Sequence, residues 1–395
     1  MSSKQTRRLP VTRELALILL TDILTSLAMN LTNSLWPLYI QSLGATVMQV
    51  SLVITITGLA GTLMRAPSGL ISDLYGRRKI IILSILLSTF PPLLYTFSKS
   101  WGQLMPWGII YNIAFSLYMP SRIAVVADYT PIEYRTRAYS IMNLAGPLGG
   151  ILGPTMGGLL QNFYGWNSIF YTATALYASA LIPVLLLPKP QKNPEDNVES
   201  LDDTKRIDLA FIRQLLPFFL FDLCIGMGIG TVSMITPIYL TDKFKISTVE
   251  VGIFISISFG LMMFLSQIPG GILADRFGRK RIITASATLL PVLSIIWTMA
   301  DNFILLLLIQ MAINSLWSMT WPAILSLFME RTPRNRRGIA QGITQTCTTF
   351  GFTIGPSVGG YMWETYGKVF PYYTSAFFLL FCIPVILMVK EKSST

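Results

Sequence analysis

The sequence predicts an all-α integral membrane protein with 12 transmembrane helices arranged as two pseudo-symmetric six-helix bundles. Three observations carry that prediction. Of 395 residues, 52% are hydrophobic and only 12% charged, with mean hydropathy +0.57, a composition that cannot wrap one soluble core in a polar surface. Twelve apolar runs follow one another, each long enough to cross a bilayer. A stretch near the start, Gly69 to Lys79, returns 202 positions later as Gly271 to Arg281.

The same composition narrows the function. A net charge of +11 is compatible with nucleic acid, but the basic residues sit in short loops between apolar runs, where anionic lipid explains them better. Cys224, Cys347 and Cys382 all fall inside apolar runs and far apart, so no disulfide framework or metal spacing is visible. With no histidine, a His-based metal or catalytic site is excluded. No Walker-type phosphate loop points to ATP, and no surface constellation points to enzyme chemistry.

In chain order, residues 1–14 form a short basic tail carrying Lys4, Arg7, Arg8 and Arg13. The apolar run at 15–40 is too long for a signal-peptide core, so it is expected to remain as span 1. Spans 2 to 6 are placed at 47–71, 80–98, 103–128, 138–163 and 166–188. Spans 7 to 12 follow at 212–241, 248–273, 281–300, 303–329, 339–365 and 368–389. Residues 1–188 are thus expected to form one bundle, 189–211 a polar cytoplasmic linker, and 212–395 the second bundle.

The basic residues set the orientation. With both termini in the cytoplasm, the outer loops hold only Lys99, Lys243, Lys245 and Lys368, while Arg65 and Arg122 lie within spans. The other 24 of the 30 lysines and arginines are then cytoplasmic, which predicts a multi-pass protein of the plasma membrane.

In the repeated stretch, Gly69 and Gly271 suit close backbone approach, and Gly76 and Gly278 suit a turn with φ > 0. Arg77, Arg276 and Arg279 suit anchoring among headgroups. Asp73 and Asp275 are expected to cap helix N–H groups or to face the positive end of a neighbouring helix. At these residues the chain resembles the major facilitator superfamily of secondary transporters, whose loop between helices 2 and 3 reads G-x-L-A-D-R-x-G-R-K. The second copy matches almost letter for letter; the first has Leu74 where the family usually has a basic residue.

Other repeats reinforce the duplication. Asp128 to Pro131 and Glu330 to Pro333 are 202 apart, and Asp22, Pro37 and Tyr39 recur 200 residues later as Asp222, Pro237 and Tyr239. Two equivalent bundles around a midplane site are the architecture of alternating access. On span 5, Gly149, Gly153, Pro154, Gly157 and Gly158 are similar to the family's antiporter motif, which implies drug and proton exchange. Because Gly351, Gly355, Pro356, Gly359 and Gly360 repeat it on span 11, symmetric helix packing explains the pattern equally well.

Charges inside apolar spans are costly, so they mark the candidate site. Asp22, Ser26, Asn30, Asn33 and Pro37 share one face of span 1. Tyr111, Phe115, Tyr118 and Arg122 share a face of span 4, as do Gln310, Asn314, Trp317 and Trp321 on span 10. The resemblance implies that spans 1, 4, 7 and 10 line a central cavity. Asp22, Arg65 and Arg122 all lie on the order of 10 Å from the cytoplasmic ends, so they are expected to meet. Asp222 has no basic counterpart, since the equivalent positions hold Gln267 and Ile324, and it could load a proton or a cation. Trp36, Tyr39, Trp101 and Trp166 lie near span ends, as in an interfacial belt, whereas Trp317 and Tyr111 lie deeper and could stack on a substrate.

The leading expectation is a secondary transporter working by alternating access, most like a proton-coupled exporter of amphipathic or cationic small molecules. Protons, a small-molecule substrate and the lipid bilayer are its expected partners, with no nucleic acid and no cofactor. The cavity lies within one chain, so a monomer suffices. The alternative is a symporter or exchanger of an anionic metabolite or sugar derivative drawn by Arg65 and Arg122. A remote alternative is a non-transporting sensor. The chain also departs from the family's drug antiporters, since Ile110 to Phe115 lacks their early span 4 arginine and the glycine four residues on.

Overall fold

A computed structural model describes residues 12–188, 209–333 and 336–388. The tail at 1–11 and most of the linker, 189–208, lie outside the described residues. Among these residues every regular element is helical. Span 1 is α1 (Arg13–Asn33) and α2 (Trp36–Ser42), followed by α3 (Val47–Tyr75), α4 (Arg77–Tyr95) and α5 (Leu104–Asp128) for spans 2 to 4. Span 5 is α6 (Arg135–Met142) with α7 (Ala145–Tyr164), and span 6 is α8 (Trp166–Leu185). Span 7 is α9 (Leu209–Ser233) and α10 (Thr236–Phe244). Span 8 runs through α11 (Thr248–Ile255), a π-helical turn (Ser256–Leu261) and α12 (Met262–Phe277). The last four are α13 (Arg279–Met299), α14 (Phe303–Arg331), α15 (Arg337–Tyr366), and α16 (Phe370–Leu380) with α17 (Cys382–Met388).

Ten of these runs are long and apolar enough to cross a membrane. The two that are not are spans 5 and 11, where glycine and hydroxyl residues replace bulky apolar ones. Their glycine faces press on other helices, while Leu148, Leu152, Met156 and Leu159 of α7 stay exposed on its outer face.

Several spans expected to be continuous are broken. Spans 1 and 7 both break just before Pro37 and Pro237, each of which starts a new helix where its missing N–H costs nothing. Span 5 breaks at Asn143–Leu144. Span 2 is longer than expected, because α3 continues to Tyr75 and only Gly76 separates it from α4. Gly76 and Gly278 both have φ of 94°, a conformation that favours glycine, so their expected role in a sharp turn holds.

The two bundles share a core at one end and part at the other. Far from the repeated basic loops, Leu31, Leu35 and Tyr39 of one bundle lie in the same buried cluster as Ile235, Ile238 and Tyr239 of the other. Towards the basic loops each bundle has its own core, with Leu15, Ile18 and Val126 in one and Leu215, Phe218 and Leu327 in the other. Between bundles α3 packs on α15, and α7 packs on α11 and the π-helical turn. The contacts of α3 with α15 run from Met48 N–H on Glu364 at 2.9 Å, through Ser357 on Thr55 at 2.7 Å and Thr62 with Thr353 at 3.1 Å, to Arg65 on Thr349 at 2.6 Å. From Arg65 to Tyr75 is roughly 15 Å of helix at 1.5 Å per residue. Over that length Gly69 has nothing within 4 Å of a Cβ built on it, and the same is true of Gly271 and Gly342. The expectation that Gly69 and Gly271 sit in close backbone contact is therefore corrected: in this conformation both face open space.

Tyr39 also departs from the interfacial belt. It is buried, donates its hydroxyl to the Tyr95 carbonyl at 2.7 Å and packs on Trp36, Trp166 and Phe170. Its repeat Tyr239 packs likewise on Trp297, Trp363 and Tyr372, so the aromatic residues at this end hold each bundle together.

Candidate functional site

The first pocket lies inside the first bundle and has a volume of about 100 Å³. Span 1 contributes Asp22, Thr25 and Ser26, and span 4 contributes Tyr111, Phe115, Tyr118 and Arg122, all on helix faces legible from their spacing. Asp22 is only 3% exposed. Its Oδ2 accepts from Arg122 Nε at 2.6 Å, and its Oδ1 accepts from the Tyr118 hydroxyl. Arg122 also donates from Nη2 to the Met142 carbonyl at 2.9 Å, just before the break in span 5. Tyr111 and Tyr177 close the far side through hydroxyls 2.8 Å apart. A carboxylate held by a guanidinium and a phenol is satisfied, so this acid is a fixed ion pair in the present conformation.

The second pocket, a small cavity of about 20 Å³, lies in the second bundle around Asp222. Phe218, Trp321, Ile324, Leu325 and Phe328 form most of its wall, and Gln341, Thr344 and Gln345 of α15 form the polar side. Thr348, whose hydroxyl donates to the Thr344 carbonyl at 3.1 Å, lies beside Asp222. No cation reaches Asp222 among the described residues, because Ile324 stands where Arg122 stands in the first bundle. Trp317 packs against Trp321 with ring centroids 6.0 Å apart, which extends the aromatic wall.

Other expected residues fall elsewhere. Arg65 does not join Asp22 and Arg122; α3 turns it towards α15, where its Nη1 donates to Thr349. Asn30 donates back to the Ser26 carbonyl of its own helix at 2.9 Å and packs against Gly153. Asn33 is exposed and lines neither pocket. Asn314 is used in packing, donating to the Ser258 carbonyl of the π-helical turn at 2.8 Å.

The glycine motifs on spans 5 and 11 are wedged symmetrically between bundles. Gly153 faces span 1, where an added Cβ would lie 2.7 Å from Asn30 Cβ, and Gly355 faces span 7, 2.7 Å from the Gly230 carbonyl carbon. On the opposite side of each helix, a Cβ on Gly158 would meet Val249 Cα at 2.8 Å and one on Gly360 would meet Ser51 Cβ at 2.7 Å, both across the bundle boundary. Gly149, Gly157, Gly351 and Gly359 are equally tight against spans 1 and 7. Pro154 and Pro356 sit in helices that continue through them. This arrangement supplies the packing account of the motif.

At the repeated loops, Asp73 and Asp275 cap no helix; they sit in the last turns of α3 and α12, 66% and 74% exposed. Asp73 pairs with Arg77 at 3.5 Å and Asp275 with Arg279 at 3.6 Å. Arg77 also binds Asp128 at the end of α5, and Arg279 binds Glu330 in the last turn of α14. Arg276 lies over the Phe277 ring at 5.5 Å. Asp128 and Glu330 were visible in the sequence only as a repeat; their role as third members of each cluster needs the helix ends to be juxtaposed. Two free cysteines also converge, since the Cys382 thiol lies 3.9 Å from the Phe221 carbonyl and beside Cys224, which no spacing along the chain reveals.

Comparison with known proteins agrees with this architecture. Residues 18–257 and 218–395 match the sequence profile of the Major Facilitator Superfamily. Multidrug resistance protein 1 of Bacillus subtilis is 23% identical over 88% of this chain and 89% of its own length. The quinolone resistance protein NorA of Staphylococcus aureus is 23% identical over 92% and 93%. Among solved structures, the nucleoside transporter NupG (D323A mutant) superposes with a TM-score of 0.79 at 16% identity, covering 95% of this chain and 98% of that one. A D-xylose-proton symporter superposes at 0.77 with 15% identity, covering 97% and 98%.

Proposed function

We propose that this chain, which belongs to the Major Facilitator Superfamily and is a multi-pass membrane transporter, is a proton-coupled exporter of amphipathic or cationic small molecules. The observation that carries the reading is an asymmetry between two equivalent acids. Asp22 is neutralised by Arg122, whereas Asp222 faces Phe218, Trp321 and Phe328 with no cation beside it among the described residues. An isolated carboxylate against aromatic walls is costly to leave ionised and empty, so it takes either a proton or a cationic substrate. Exchange of one for the other couples the two fluxes. The aromatic faces add cation–π attraction for a quaternary or protonated amine.

Alternating access supplies the path. With the repeated basic loops in the cytoplasm, as their charge favours, the gap between bundles opens inward and Asp222 is loaded from that side. Parting of the shared core around Tyr39 and Tyr239 then exposes the site outward. The names of the relatives favour multidrug export over the anionic-metabolite alternative. Arg122 is committed to Asp22, which removes half of the anion site that the alternative required.

The test is accumulation of a fluorescent lipophilic cation in inside-out vesicles holding the full chain. Acidifying the lumen should drive dye inward against its gradient, and collapsing the pH gradient should release it. Accumulation that persists without a pH gradient, in the absence of ATP and sodium gradients, sinks the proton-coupled reading.

A further inference from the structure

Three charges besides Asp222 lie within the spans, and two of them, Asp22 and Arg122, satisfy each other. The third is Arg65, and its direction follows from its neighbours on α3. Thr55, Gly58 and Thr62 turn towards α15, where they meet Ser357 and Thr353. Gly61 and Ser72 turn towards α5, where they accept hydrogen bonds from Ser116 and Ser121. At about 100° per residue, Arg65 falls on the strip between those two faces, which borders the gap between the bundles. Among the described residues its guanidinium meets Thr349 and no carboxylate, so one of its five N–H donors is used.

Thr349 is the neighbour of Thr348, which lies beside Asp222, and Thr344 one turn earlier lines the Asp222 pocket. One turn of α15 is therefore flanked by a carboxylate from the second bundle on one side and a guanidinium from the first bundle on the other. A cavity built only for cations gains nothing from an unneutralised guanidinium there, since it repels the substrate that Asp222 attracts. Planar, fork-shaped and permanently charged, Arg65 is suited to a carboxylate.

We infer that Arg65 is an anion subsite, and that the substrates include amphipathic zwitterions whose ammonium group lies at Asp222 and whose carboxylate lies at Arg65. This rests on the export reading above and extends it from cations to molecules carrying both charges. Because the two anchors belong to different bundles, such a molecule bridges the parting surfaces.

The experiment compares two probes in proteoliposomes of the full chain, Nε-dansyl-lysine, a zwitterion, and its methyl ester, a cation of nearly the same shape. Wild type should move both. Arg65→Gln should lower the ratio of zwitterion to ester transport by about tenfold or more, the usual effect of losing a charged hydrogen bond, and Arg65→Lys should restore part of it. An unchanged ratio in Arg65→Gln overturns the subsite, as does a wild type that moves the ester alone. A wild type that moves neither probe overturns the export reading itself. Where Arg65→Gln transports too little to give a ratio, dansyl fluorescence on binding in detergent replaces it. Selective loss of zwitterion binding then supports the subsite, and equal loss for both probes overturns it.

Discussion

Arg122 donates from Nε to Asp22 at 2.6 Å, and that bond makes unequal two acids that the internal repeat would otherwise make equivalent. Asp22 and Asp222 occupy matching turns of spans 1 and 7. One is closed by an arginine and a tyrosine, while the other has no basic partner among the described residues. The division of labour proposed here, a fixed ion pair in one bundle and an exchangeable carboxylate in the other, follows from that difference.

Removing Arg122 alone should be more harmful than removing both partners. Arg122→Gln strands a carboxylate that is 3% exposed, and breaking one half of a buried pair costs about 3–5 kcal/mol. Adding Asp22→Asn should recover much of that loss. Thermal unfolding of the purified variants in detergent measures the cycle, and additive single effects would argue against the pairing.

Glycines on one helix should separate by the side they face. Gly153→Val crowds span 1 within its own bundle and should lower thermal stability by about 1–3 kcal/mol. Gly158→Val crowds Val249 across the boundary, at the end where the bundles are closed, and should shift the population towards opening there. Spin labels at Gln41 on α2 and Thr241 on α10 read that opening as a longer distance, because these two helices meet at the closed end. An unchanged distance distribution in well-folded Gly158→Val protein would contradict this prediction.

The basic loop clusters should behave as coupled units of small individual worth. Arg77 and Arg279 are roughly one-third exposed, so each pair contributes about 0–1 kcal/mol. Arg77→Gln and Asp128→Asn should have similar effects on stability, and the double variant should be no worse than either. The same holds for Arg279→Gln with Glu330→Gln. Strictly additive losses would mean that the arginines act independently of these acids.

Much of this molecule is legible in its sequence because membrane spans leave little freedom to charge and periodicity. The depth of Asp22 and Arg122 below the same surface anticipated their meeting, and the three- and four-residue spacing on span 4 anticipated that Tyr111, Phe115, Tyr118 and Arg122 would line one pocket. Depth says nothing about the rotation of a helix, which is why Arg65, equally deep, proved to point to α15. Asn30 and Asn33 share a spacing with Asp22, yet the glycines of span 5 press that part of span 1 into a helix contact. The basic cluster after residue 71 suggests a loop at Asp73, yet only Gly76 ends the helix and nothing before it stops the backbone. The proximity of Cys224 to Cys382 depends on tertiary packing between spans 7 and 12 and leaves no mark in the chain.

The measurement that tests the central claim most directly is the pH inside sealed proteoliposomes as a transported cation is added, with wild type compared against Asp222→Asn. The account predicts a substrate-dependent proton flux in wild type that Asp222→Asn abolishes, while the variant still folds and leaves the Asp22–Arg122 pair in place. Proton flux that survives in Asp222→Asn at the wild-type rate would contradict the account and would move the coupling role to another group.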